Sequence, residues 1–169
     1  MENNTKILFY GYGNPGRQDD ALGICFIEEL QAWVTEQKIK NIYFDSNYQL
    51  NIEDAELISR FDIVFFVDAS LEEIEQFSIS KLEPSSAQIE FTMHAISPGV
   101  VLNLCHQICN FTPKSFLIHI KGYEWDLKFD QGLTENARNN LHSSLEYIKR
   151  FLKQFENSAS VDINFDICL

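Results

Sequence analysis

Apolar residues fall in short blocks, and their spacing changes from block to block. Lys6–Tyr10 is largely a continuous apolar run closed by Gly11, the pattern of a buried strand. Over Ala21–Lys38 the positions Leu22, Phe26, Ile27, Leu30, Trp33 and Val34 recur every three to four residues, which predicts a helix. A short strand over Asn41–Asp45 and a short acidic helix over Ile52–Ser59 follow. Asp62–Asp68 is the strongest strand signal, because Ile-Val-Phe-Phe-Val without a polar break suits a strand covered on both faces. Phe77–Leu82 alternates apolar and polar, which places it nearer an edge. Ser97 as cap and Pro98 at the first position predict a helix over Gly99–Asn110. Ser115–Lys121 is a further strand, and Thr134 opens a long closing helix that runs to Phe155.

Strands alternating with helices define an α/β fold. The expectation is a single-domain three-layer sandwich: a mostly parallel twisted sheet of about five strands, flanked by helices. The domain spans residues 1–156, and residues 157–169 form a loose or draped tail. A length of 169 residues suits one core. The 45% hydrophobic and 13% aromatic content excludes a disordered chain. No apolar run approaches the roughly 20 residues that span a bilayer. Met-Glu-Asn-Asn-Thr at the start lacks the basic and apolar regions of a secretory signal, so a cytoplasmic location is expected. The net charge of −12 argues against nucleic acid and anionic membranes, and leaves a cation or a basic protein as partner.

In such sheets ligands bind beyond the carboxyl ends of the strands. There the first strand leads into Gly11-Tyr12-Gly13-Asn14-Pro15-Gly16-Arg17-Gln18-Asp19-Asp20. A Gly-rich turn before a helix usually cradles phosphate, but two acids reverse the field and favour a cation. Capping the helix accounts for Asp19 and leaves Asp20 as the functional candidate. Asp68, ending an apolar strand, needs a partner or a ligand. His94, in the loop before Pro98, can reach the same edge. Two carboxylates and one imidazole suit nickel, zinc or manganese with open coordination positions.

His106, His119 and His142 fall inside regular elements and are assigned structural roles. The four cysteines contain no CxxC pair; Cys105 and Cys109 share a helix face and fit a buried apolar role. Arg17 fits two roles equally, a contact to a substrate carboxylate or a solvated turn residue. No Ser or Cys lies in a nucleophile elbow, the sequence setting of an acyl-enzyme nucleophile.

The chain resembles the hydrogenase maturation proteases, endopeptidases that trim the large subunit of nickel–iron hydrogenases. The matching pieces are Gly11-x-Gly13-Asn14, Asp19-Asp20-x-x-Gly23, Tyr48-Gln49-Leu50-Asn51-x-Glu53-x-Ala55-Glu56, Val67-Asp68-Ala69, His94-Ala95-Ile96-Ser97-Pro98, and Gly122 with Gly132-Leu133-Thr134. They run in family order from residue 6 to about residue 155. The resemblance implies that Asp20, Asp68 and His94 contact metal and carry catalysis. It implies that the metal is nickel already held by the immature large subunit. Zinc or cadmium would be stand-ins in the isolated protein, and a monomer is the expected working form. The chain departs from the family at Ala21, where glycine is usual, and at Gly122-Tyr123-Glu124-Trp125-Asp126. Three other readings compete. One is a nucleotide-binding Rossmann-like protein, since Gly11-x-Gly13-x-x-Gly16 matches the dinucleotide fingerprint and Asp45 ends the second strand. Pro15 and the acidic pair oppose it. Another is a peptidyl-tRNA hydrolase, opposed by the charge. The third is a hydrogenase assembly chaperone that binds without cutting.

Overall fold

The computed structural model describes residues 4–86, 96–128, 131–156 and 167–168. In chain order the elements are β1 (Ile7–Tyr12), α1 (Leu22–Gln37), β2 (Ile42–Asn47), α2 (Asp54–Ile58), β3 (Ile63–Ser70), β4 (Phe77–Leu82), α3 (Pro98–Cys109), β5 (Lys114–Lys121), α4 (Glu135–Glu156) and β6 (Ile167–Cys168). The sheet order is β2-β1-β3-β5-β4-β6. The strands from β2 to β5 are parallel, and β4 runs antiparallel to β5. Strands β1–β5 are the five the sequence predicts.

The sixth strand is an addition. Ile167 and Cys168 pair antiparallel with Ile79 and Ser78. This part of the chain's end is therefore laid along the sheet rather than loose. It gives backbone partners to β4, which would otherwise present an open edge.

Alternation along the strands builds two cores. Ile7, Phe9, Ile63, Phe65, Val67, Phe116 and Ile118 face α1 and α4. Leu8, Tyr10, Val64 and Phe66 face α2 and α3. Phe9, Phe65 and Phe116 are neighbours in register across three parallel strands. Their rings stack with centroids 4.8 and 5.1 Å apart, each pair contributing about 1 kcal/mol beyond burial. A slip of one residue would turn these rings to the opposite face. The ladder therefore fixes the register of β1, β3 and β5, and with it the alignment of their carboxyl ends.

Helix termini follow local chemistry. Ser97 caps α3 by accepting a hydrogen bond from the Val100 amide, and Pro98 occupies the first position. Cys105 is buried on the sheet-facing side of α3, with its thiol directed at the Phe111 carbonyl 3.2 Å away. It packs as the apolar residue the sequence suggests.

Candidate functional site

The site is built where β1 ends and the chain doubles back into α1. The reversal runs through Gly13, at φ 143°, and a 3-10 turn over Gln18–Ala21. A Cβ on Gly13 would lie 1.9 Å from the Asp20 carbonyl oxygen. Gly23 lets α1 sit on the strand ends: a Cβ there would meet the Tyr12 and Val67 carbonyl oxygens at 2.4 and 2.5 Å. Bare backbone at both positions brings Asp20 onto the ends of β1 and β3. Ala21, with ordinary helical angles, fits without strain.

Asp19 does not cap the helix. It is fully buried and points away, into the connection between β5 and α4. One oxygen, Oδ2, accepts from the amides of Tyr123 (2.8 Å) and Glu124 (3.1 Å) and from the Thr134 hydroxyl (2.8 Å). The other, Oδ1, accepts from the Thr134 amide at 2.8 Å. Thr134 Oγ1 in turn accepts from the Ala137 amide, capping α4 as predicted. The donors that hold Asp19 lie more than a hundred residues away in sequence, beyond the reach of a local cap.

Asp20 stays at the surface of the turn. Its Oδ2 accepts from the Asn14 amide at 3.1 Å, and Arg17 Nη1 lies 4.0 Å away. The Gly13 and Gly16 amides are satisfied by the Asn47 carbonyl and the Asn14 side chain. The amides that would cradle a pyrophosphate are thus engaged within the protein, one of them by a carboxylate. This removes the basis of the dinucleotide reading. Arg17 also donates from Nε to the Trp125 carbonyl at 3.2 Å. It braces two loops from a side chain that stays 47% exposed, so it remains a solvated turn residue as well.

Asp68 lies half-buried near the end of β3. Burial is the main force raising its pKa, and the Asp20 carboxylate adds to it. Hydrogen bonds from the Tyr12 hydroxyl and the Ala69 amide oppose the rise, and the net result is a pKa of about 7. Tyr12 itself is pushed well above the ordinary tyrosine range, mainly by burial and then by the Asp68 charge. Asp20 and Asp68 therefore share one electrostatic environment at the sheet edge, and a cation entering it would displace a proton. Tyr12→Phe removes the opposing hydrogen bond, so the Asp68 pKa rises further. The expected result is an Asp68 carboxyl titration, followed by NMR, displaced to higher pH. An unshifted titration would show that the hydroxyl does not act on Asp68.

The third predicted ligand, His94, lies outside the described residues. Among the described residues no three His, Cys, Asp or Glu side chains gather closely enough to hold a metal. His119 is the β5 register partner of Asp68, so both side chains leave the same face of the sheet. Its Nδ1 lies 3.6 Å from Glu72 Oε2. Burial lowers its pKa and Glu72 opposes the change. Neither Tyr12 nor His119 stands out by motif. Strand register alone brings them beside Asp68, and their shared position at strand ends was the signal available.

No protein-family model matches the chain, and no curated protein sequence does. The fold does have solved counterparts, and most of those named are hydrogenase maturation proteases or peptidases. The maturation protease HycI from Thermococcus kodakarensis KOD1 superposes with a TM-score of 0.66 at 23% identity, over 88% of this chain and 93% of that one. The hydrogenase maturating endopeptidase HybD from E. coli gives 0.65 at 18% identity, over 89% and 93%. A protein of uncharacterized role from Wolinella succinogenes gives 0.54 at 23% identity, over 89% and 99%. The chain has the maturation-protease fold.

Proposed function

We propose that this protein is an endopeptidase that removes a C-terminal extension from the nickel-loaded precursor of a nickel–iron hydrogenase large subunit. The observation that carries the reading is the placement of Asp20 and Asp68 at the adjoining ends of β1 and β3, where the Asp20 charge adds to the rise of the Asp68 pKa. In the proposal these carboxylates, with His94, contact the nickel held by the substrate, which reports that the metal centre is complete. Two carboxylates held by the protein form an open site that suits a metal arriving with its own ligands.

The peptide bond is then cut by water. Asp68, whose pKa of about 7 is that of the metal-free site, contacts the metal through one carboxylate oxygen in this reading and takes the water proton on the other. The water oxygen adds to the scissile carbonyl carbon, the carbon–nitrogen bond breaks, and the proton passes to the departing amine. Asp20, braced by the Asn14 amide and Arg17, positions the metal. The work is assigned to a monomer in the cytoplasm. No helix among the described residues is long and apolar enough to cross a membrane.

Incubating nickel-loaded precursor with the wild type and with Asp20→Asn tests this assignment. Release of the C-terminal peptide by the wild type is expected, with at least a hundredfold slower release by the variant. Full activity in Asp20→Asn would contradict the role given to this carboxylate.

A further inference from the structure

Eight large apolar side chains stand exposed among the described residues. Five of them, Tyr48, Ile52, Leu71, Tyr123 and Leu127, lie on the connections that leave β2, β3 and β5 at their carboxyl ends. Their exposure runs from 42% for Tyr123 to 71% for Leu71. Of the other three, Tyr43 is on β2, while Ile108 and Phe111 lie at the end of α3, beside the start of β5 and so at the opposite edge. Isolated exposed hydrophobes need no explanation, but a concentration on one edge marks a binding surface.

The order of the strands orders this surface. Along β2-β1-β3-β5 the edge presents Tyr48 and Ile52, then the turn bearing Asp20, then Asp68 and Leu71, then Tyr123 and Leu127. The apolar residues thus flank the carboxylate pair on both sides. Four adjacent strands span about 14 Å, which an extended chain of about four to five residues covers.

The same connections carry excess negative charge. Glu72, Glu73 and Glu75 follow β3, and Glu124 and Asp126 follow β5. The nearby bases are already engaged: Lys121 donates to the Leu71 and Glu72 carbonyls, and Lys128 lies 3.8 Å from Asp126. The field at this rim selects a positively charged occupant.

We infer that this rim is the docking surface for an extended segment of the protein substrate, carrying apolar side chains on both sides of the cut bond together with net positive charge. The inference rests on the proposed protease function for the identity of the partner. It goes beyond it in assigning recognition to the loops after β2, β3 and β5 rather than to metal contact alone.

The test measures binding and cleavage separately. Leu71→Ser and Leu127→Ser are compared with Ile108→Ser and Phe111→Ser at the opposite edge, each variant first shown by circular dichroism to be folded. Binding to full-length nickel-free precursor is followed by biolayer interferometry at 50 and 300 mM NaCl. The rim variants are expected to raise Kd by about tenfold, the size of a moderate interface contact. The opposite-edge variants should stay within about twofold, and the higher salt should weaken wild-type binding several-fold. With nickel-loaded precursor the rim variants should raise KM and leave kcat unchanged. Equal Kd values for all four variants and the wild type, or binding strengthened by salt, would overturn the docking surface. Rim-dependent binding without cleavage by the wild type would overturn the protease reading and leave the surface standing.

Discussion

Asp68→Asn is expected to abolish cleavage and, above pH 7, to stabilise the protein. Loss of a general base lowers the rate by about 10²–10⁴-fold. The stability effect follows from the raised pKa of Asp68, about 7 in the folded protein against 3.8 for the free side chain. Between about pH 4 and pH 7 the folded chain keeps a proton that the unfolded chain has lost. Stability from this group is therefore full below pH 4, declines through that window, and stays low above it. Asparagine has no charge to desolvate and can still accept from Tyr12. Allowing for partial solvent access, the variant should exceed the wild type by on the order of 2 kcal/mol at pH 8 and match it near pH 4. Urea unfolding at the two pH values measures the difference. A variant that is less stable than the wild type at pH 8 would contradict the assigned desolvation. A variant that still cleaves would remove Asp68 from the chemistry.

Asp19→Ala should produce the largest loss of stability. The fully buried carboxylate accepts four hydrogen bonds from a partly buried connection. Its removal leaves the Tyr123, Glu124 and Thr134 amides without a partner and frees the cap of α4. An orphaned buried donor costs about 1–3 kcal/mol. Some relaxation of the 122–134 connection offsets the sum, so a loss of about 3–5 kcal/mol is expected. Domains of this size are stable by only about 5–15 kcal/mol, so the variant should be near unfolding at 37 °C. The shift of the urea midpoint at pH 7 measures it. A change below about 1 kcal/mol would show that Asp19 does not tie the turn after β1 to the connection between β5 and α4.

The two adjacent acids show how far the sequence is legible. Apolar spacing places β1 through β5, α1, α3 and α4 within a few residues, because each element must bury a face and its period records that face. The same logic singles out Asp68, since a carboxylate at the end of Val-Phe-Phe-Val needs a reason to be there. It also separates Asp20, which stays at the surface of the turn, from its buried neighbour as the candidate acid. It misjudges what Asp19 does, because the donors that hold Asp19 come from residues 123, 124 and 134. Tyr12, Arg17 and His119 are hidden for the same reason: their partners Asp68, Trp125 and Glu72 are distant in sequence and meet them only once the sheet is assembled. The strand at Ile167–Cys168 has too few residues to show a period at all.

The proposed function turns on gating of cleavage by nickel. The cognate large-subunit precursor, prepared with and without nickel, is incubated with this protein and both products are weighed by intact-mass spectrometry. Loss of a C-terminal peptide from the nickel-loaded precursor alone is expected. Equal trimming of both forms would contradict recognition of the metal, and an intact nickel-loaded precursor would contradict the protease itself.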